Sequence, residues 1–202
     1  MTIRNPFRIA RDRKGISTVE FALVAPVLLL MIMGFFDLAH REYATAVLQG
    51  ALQKAARDST LETGTANGAT IDAAIQAQVK KVLGKGTQFT PAPQRFSYTD
   101  FSGVGQAETF IDKPPLNGKY DKGECFQDVN GNGKWDADIG VNGNGGAQDA
   151  VTYKVFVSYP RLFPMAKLLG WSANQTISAS TVLRNQPYGD QAAPPPVTQI
   201  CT

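Results

Sequence analysis

The longest feature of the hydrophobic pattern is an apolar run at residues 16–36, ISTVEFALVAPVLLLMIMGFF, with Glu20 as its single charge. A helix of this run would be about 31 Å long, close to the hydrocarbon thickness of a bilayer, which is about 30 Å. A buried helix of a globular protein is the alternative, but such a helix is rarely so long and so apolar on every face. The run therefore predicts one membrane-spanning helix.

Positive charge precedes the apolar run and predicts its orientation. The segment before the run, 1–15, holds five basic side chains and one acidic side chain, Asp12. By the positive-inside rule, the N-terminus is cytoplasmic and the chain beyond residue 37 lies outside the cytoplasm. A cleaved secretory signal is a competing interpretation, but its apolar region would be shorter and would end in small residues, whereas Asp37 stands here. The basic residues are Arg4, Arg8, Arg11, Arg13 and Lys14.

The helical pattern continues beyond the membrane through residues 37–57. One stripe of this continuation is predicted to pack on the chain's own sheet, with partner contacts for the remainder. A row of small and apolar residues lies beside that stripe. The stripe comprises Phe36, Tyr43, Val47, Gly50, Ala51 and Lys54, and the row beside it Ala44, Leu48, Leu52 and Ala55.

The rest of the chain predicts a small α+β head, residues 58–186, with an antiparallel sheet. Residues 58–70 have the composition of a linker, and a second helix is expected at residues 71–83, closed by Gly84. Strand-like runs follow at residues 95–101, 151–159 and 176–184, and residues 151–159 alternate as a half-buried strand should. Residues 187–202 are proline-rich and are expected to be irregular.

Charge and composition exclude several classes of function. The formal net charge is +3, but it falls to −1 once the basic N-terminal segment is set aside, which excludes a broadly basic nucleic-acid surface. The chain has one histidine, His40, and two cysteines, which excludes the usual zinc sites and argues against histidine-based catalysis. We therefore predict no enzymatic activity and no nucleic-acid partner.

Residues 128–138, DVNGNGKWDAD, follow the opening of a calcium-binding loop. Such loops place oxygen ligands at positions 1, 3, 5, 7 and 9 and glycine at position 6. The pattern fails at position 12, where Ile139 replaces the usual glutamate, so Asp138 or Asp149 would supply the missing carboxylate. A bare Asn- and Gly-rich turn is the alternative. The predicted ligands are Asp128, Asn130, Asn132, Asp136, Asp138 and the carbonyl of Lys134, with Gly133 at the turn.

Two cysteines in an oxidising compartment most simply pair with each other. A Cys125–Cys201 disulfide would hold the proline-rich tail beside the predicted calcium loop. The alternative is two unpaired cysteines in flexible segments.

Residues 162–171, LFPMAKLLGW, form an apolar turn between the last two predicted strands. A lid on the core of the head is one interpretation. The other is a contact patch for another protein or for the membrane surface.

Glu20 is unusual because a carboxylate inside a membrane helix needs a partner. If the chain were cut after Gly15, the new amino group of Ile16 would lie one helical turn from Glu20 and could neutralise it. Snorkelling of Glu20 to the headgroups is the alternative.

The basic leader, the sequence Gly15-Ile16-Ser17-Thr18-Val19-Glu20-Phe21 and the long apolar helix together resemble the prepilin-peptidase site of type IV pilins. More narrowly, the chain resembles the TadE-like minor pilins, or pseudopilins, of the tight-adherence (Flp) pilus. Three further segments are similar to that family: residues 22–26 (ALVAP), residues 178–188 (SASTVLRNQPY) and the loop DVNGNGKWD.

The resemblance implies a pilin-like protein with residues 1–15 as a leader that a prepilin peptidase removes. It implies a single-pass protein of a bacterial inner membrane, with a periplasmic head that enters or primes a pilus and acts in its assembly and in surface adhesion. The implied partners are the prepilin peptidase, other minor pilins, the major pilin and the assembly platform. Two other functions remain open: an uncut, membrane-anchored periplasmic calcium-binding module, and a secreted enzyme.

Overall fold

The computed structural model describes residues 16–61, 67–163 and 170–201. The predicted leader and the middle of the apolar turn lie outside these ranges. Within them are two α-helices, α1 (Ile16–Ser59) and α2 (Gly68–Leu83). The strands are β1 (Gln94–Tyr98), β2 (Phe110–Ile111), β3 (Cys125–Asp128), β4 (Val141–Asn142), β5 (Ala150–Pro160), β6 (Asn174–Arg184) and β7 (Thr198–Cys201).

Helix α1 is a single element of 44 residues that continues through Pro26. It joins the predicted membrane segment to its continuation without a break and ends slightly later than predicted, at Ser59. Its first half is exposed along the apolar run, and it is the one helix of the described chain long and apolar enough to cross a membrane. The prediction of a long N-terminal helix that leads into an α+β head is confirmed.

The main sheet of the head is antiparallel and has four strands in the order β4-β1-β5-β6. Strands β5 and β6 pair along their whole length, from Ala150 opposite Arg184 to Pro160 opposite Asn174. Both strands were predicted, and the alternation of β5 buries Tyr153, Val155 and Val157 completely. Strand β1 ends earlier than predicted, at Tyr98.

Both helices pack against this sheet and enclose the core with it. Leu48 of α1 and Val79 of α2 are fully buried, and Ile177 and Ala179 of β6 lie in the same cluster. Apolar contact of this kind is the main source of the stability of the head.

The predicted packing stripe of α1 holds only in part, since Ala51 of that stripe is 2% exposed and lies in the core. The neighbouring row packs more fully: Ala44 and Leu48 are completely buried, whereas Tyr43 of the predicted stripe is 58% exposed. Gly50 is also exposed and has open space where a side chain would be. The face of α1 that meets the sheet therefore runs through the neighbouring row and Ala51, while Tyr43 and Gly50 face outward.

A polar cluster attaches α2 to the sheet. Arg95 of β1 donates to Asp72 of α2 at 3.0 Å, and its guanidinium lies 4.0 Å from the ring centroid of Tyr153. The Tyr153 hydroxyl also donates to Asp72. Burial raises the pKa of Tyr153, and the hydrogen bond to Asp72 raises it further. The Tyr153 hydroxyl therefore stays protonated as a donor at neutral pH.

A second, smaller sheet lies outside the main sheet and includes part of the excursion between β1 and β5. Its order is β2-β3-β7, and it was not predicted. The expectation of an irregular tail was wrong at Thr198–Cys201, because these residues pair with β3 as β7. A strand of four residues has too few alternating apolar and polar positions to be recognised from the sequence without its partner strand.

The packing of α1 makes a direct prediction. Leu48→Ala should lower the free energy of unfolding by about 2–5 kcal/mol, because it removes a fully buried side chain. Tyr43→Ala, on the neighbouring row, should change the stability of the isolated chain far less. Urea unfolding of the full chain in detergent measures both, and equal losses would contradict the observed packing row.

Candidate functional site

The predicted processing segment lies at the start of α1. Gly15 is outside the described residues, and Ile16 is the first residue of the helix. Glu20 and Phe21 follow within two turns and are both exposed. Residues 16 and 20 are one turn apart on the same face, as the sequence predicted for a pairing of the Ile16 amine with Glu20.

The predicted calcium loop begins at the end of β3 with Asp128, which is 3% exposed. Its carboxylate accepts the backbone N–H groups of Gly131 at 2.7 Å and Gly133 at 2.8 Å. Gly131 and Gly133 both have a φ of 76°, a left-handed conformation that glycine adopts without steric cost. The loop therefore curls around the first predicted ligand.

The other predicted side-chain ligands of the loop converge on Asp136. One oxygen of its carboxylate accepts the side-chain amides of Asn130 at 2.7 Å and Asn132 at 2.5 Å. The amide oxygen of Asn132 accepts the backbone N–H of Lys134 at 2.8 Å. The loop thus gathers two carboxylates and two amides, but both amides present N–H groups to Asp136, and a bound cation would need their oxygens in that place.

This donor set fits a hard cation incompletely. Calcium takes six to eight oxygen ligands, including waters. In the described part of the chain, no three His, Cys, Asp or Glu side chains lie close enough to hold a metal ion. Asp138 therefore does not join Asp128 and Asp136, so bound water would have to complete the shell.

Asp138 and Asp149 make other contacts. The hydroxyl of Tyr98 donates to Asp138 at 2.8 Å, and burial raises the pKa of Tyr98, with a further rise from Asp138. Asp149 accepts the backbone N–H of Gly146 at 2.7 Å and the amide of Gln191 at 2.9 Å. Both carboxylates thus stabilise neighbouring turns, which is the role that Asn- and Gly-rich segments commonly need.

Glu108 clamps the two ends of the loop and was missed by the sequence analysis. It is 2% exposed, and its carboxylate accepts the backbone N–H groups of Val129 at 2.8 Å and Asp136 at 3.0 Å. Its own backbone pairs with the loop as well, since it donates to the carbonyl of Asp136 at 2.9 Å. Glu108 lies well before the loop in the sequence, beyond the reach of any helix or strand period, so no local pattern points to it.

An aromatic cluster supports the loop from one side. The ring of Trp135 stacks on that of Tyr120 at 4.8 Å between centroids, and its indole N–H donates to the carbonyl of Glu108 at 3.0 Å. Phe110 packs edge-on against both rings. The loop thus has a hydrophobic attachment in addition to the Glu108 clamp.

The predicted disulfide is present and joins the tail to the strand before the loop. Cys125 and Cys201 lie directly opposite each other on β3 and β7 and form a bond at a sequence separation of 76. At the other end of the same pairing, Asp128 is opposite Thr198. A β-carbon added at Gly131 would lie 3.4 Å from Pro195, so the tail also touches the turn of the loop.

Comparison with known families gives a match for the N-terminal part of the chain. The family model described as TadE-like protein matches residues 15–57. Residues 15–57 are therefore similar to TadE-like proteins. The match begins at Gly15 and follows α1 almost to its end, and it associates this segment with pilus proteins. The sheets and the loop lie outside it. No curated protein and no solved structure matches the chain.

The clamp can be tested independently of any metal. Glu108→Ala should lower the free energy of unfolding by about 1–3 kcal/mol, because the backbone N–H groups of Val129 and Asp136, both half-buried, lose their acceptor. Hydrogen exchange at the amides of Val129 and Asp136 should speed up in the folded protein. Asp190→Ala removes an exposed carboxylate and serves as the control. Unchanged exchange at both amides would contradict the clamp.

Proposed function

We propose that this chain is a non-enzymatic minor pilin, or pseudopilin, of a tight-adherence pilus. The observation that carries the proposal is the TadE-like match, which begins at Gly15, the residue at which cleavage was predicted. A prepilin peptidase would remove residues 1–15, and residues 16–36 would hold the protein in a bacterial inner membrane. The head would face the periplasm, and the processed chain would act in pilus assembly and surface adhesion.

The shape of α1 supports this proposal. Its first half exposes apolar side chains, for example Phe21 at 66% and Leu23 at 74%, while its second half packs on the head. A helix of this kind can lie in lipid before assembly and among neighbouring helices afterwards. The exposed row with Tyr43 and Gly50 offers a further surface for other minor pilins, the major pilin or the assembly platform.

Cleavage would also explain Glu20. The Ile16 amine formed by the cut would lie one turn away and would provide a positive charge near the membrane interface. The neutralised pair could come from one chain or from two neighbouring chains. An uncut anchor would leave Glu20 to snorkel to the headgroups.

Processing is tested by changing Gly15. Gly15→Leu should leave an uncut, membrane-inserted precursor, because a bulky side chain would block the approach of the backbone to the peptidase. N-terminal sequencing of the wild-type protein from cells should give Ile16. Gly50→Leu, a change of the same kind outside the processing segment, is the control and should still be cut. A wild-type chain that starts at Met1 or Thr2 would instead support the uncut membrane-anchored module.

We further propose that residues 128–136 bind calcium. The arrangement that supports this is the convergence of Asn130 and Asn132 on Asp136 beside the buried carboxylate of Asp128. A bound ion would supply positive charge between the two carboxylates. The loop residues would hold the oxygens in place, while Glu108 and the disulfide would keep both ends of the loop from separating.

The calcium proposal predicts a metal-dependent stability of the head. Calcium should raise the melting temperature of the EGTA-treated full chain in detergent, since a ligand that binds the folded state stabilises it. The rise should vanish in Asp128→Ala and Asp136→Ala, and should shrink in Cys201→Ser because the tail is released. Asp138→Ala should keep most of the calcium-dependent rise in melting temperature. A melting temperature that responds to neither calcium nor EGTA would contradict the calcium proposal and would show that the loop is an ordinary turn.

A further inference from the structure

The end of the apolar run on α1 lies beside the connection between β5 and β6. Asp37 is the first residue after the run, and it is 8% exposed. Its carboxylate accepts hydrogen bonds from Arg161, at the end of β5, and from Gln175, in β6, the latter at 3.1 Å. Both ends of the connection are therefore fixed to α1 at the level where the apolar run stops.

Further contacts reinforce this junction. The Nε of Arg161 donates to the carbonyl of Ser172 at 2.9 Å, which closes the base of the connection. Tyr159 donates to Gln175 at 2.8 Å and contacts the ring of His40 edge-on at 5.6 Å. The junction therefore holds both described ends of the β5–β6 connection at one height along α1.

Apolar side chains at this height face outward. Leu162 is 52% exposed and Trp171 is 56% exposed, one at each described end of the connection. The guanidinium of Arg161 lies 5.4 Å from the ring centroid of Trp171. On α1 itself, Phe36 and Leu38 are 56% and 53% exposed on either side of Asp37.

We propose that Leu162 and Trp171 rest on the lipid interface of the membrane that α1 crosses. The inference rests on the membrane anchoring in the proposed function. Tryptophan and arginine favour the headgroup region, where an apolar ring and a polar tip are both accommodated. The exposed side chains lie at the level where the apolar surface of α1 ends, so the same bilayer that surrounds Phe36 meets them.

This contact would give the head a second attachment to the membrane. A single helix leaves a head free to tilt and rotate about the anchor. An interfacial contact at Trp171, joined to α1 through Arg161 and Asp37, removes much of that freedom. The head would thus stand in one orientation before it enters a pilus.

The two tryptophans of the chain allow a direct test. The full chain is reconstituted in phosphatidylcholine vesicles, with flotation to establish insertion, and quenching by lipids brominated near the headgroup is measured. The wild-type protein should lose emission, and Trp171→Phe, which leaves Trp135 in its native cluster, should lose little. Trp135→Phe, if it folds, should show the full quenching of Trp171 alone.

The junction is tested in the same assay. Asp37→Asn should reduce the quenching of Trp171 while the chain still floats with the vesicles, because Arg161 loses its ion pair. Glu42→Gln, an exposed change on the same helix, should leave it unchanged.

Three results would overturn the inference. A chain that floats but whose Trp171 is no more quenched than Trp135 would show that lipid does not cover this surface. Shielding of Trp171 only after another pilin is added would make that protein the occupant. A chain that fails to float would overturn the anchor of the proposed function as well, so the two failures are distinguishable.

Discussion

The structure depends on one continuous helix whose surroundings change part-way along its length. The first half of α1 exposes its apolar side chains, while the second half buries Ala44 and Leu48 against the sheet. Asp37 marks the boundary, and a carboxylate buried there must have partners. Arg161 and Gln175 supply them, so the junction at the boundary also sets the height of the head along the helix.

The second half of α1 packs mainly through small side chains, which has an energetic consequence. Alanine buries little area, and each Å² of apolar surface contributes only about 25 cal/mol. Small side chains let α1 approach β6 closely, but much of the stability of the head must come from other interactions. The Asp72–Arg95–Tyr153 cluster and the Cys125–Cys201 disulfide contribute to that stability at two other points of the head.

The parts of the fold that could be predicted are the long ones. Helix α1 was recognised by the length of its apolar run, and strands β5 and β6 by their long strand-like patterns. The small sheet could not be, because β7 is a strand only through its pairing with β3. In the loop, the predicted ligands up to Asp136 lie together, but Asp138 is held by Tyr98. Glu108 has no sequence signal, since its role depends on contacts with residues far from it in the chain.

The two candidate surfaces lie at opposite ends of β5. Trp171 and Arg161 are near Pro160, whereas the turn beside Asp138 attaches at Tyr98, which pairs with Ala150. A strand of this length separates its two ends by about 33 Å. Sites so far apart with no shared partner contribute independently to stability. Coupling between metal binding and membrane contact would have to pass through the shared core, where Tyr153, Val155 and Val157 of β5 are completely buried. A shift of one end of β5 would disturb this close packing, so we expect metal binding and membrane contact to act independently.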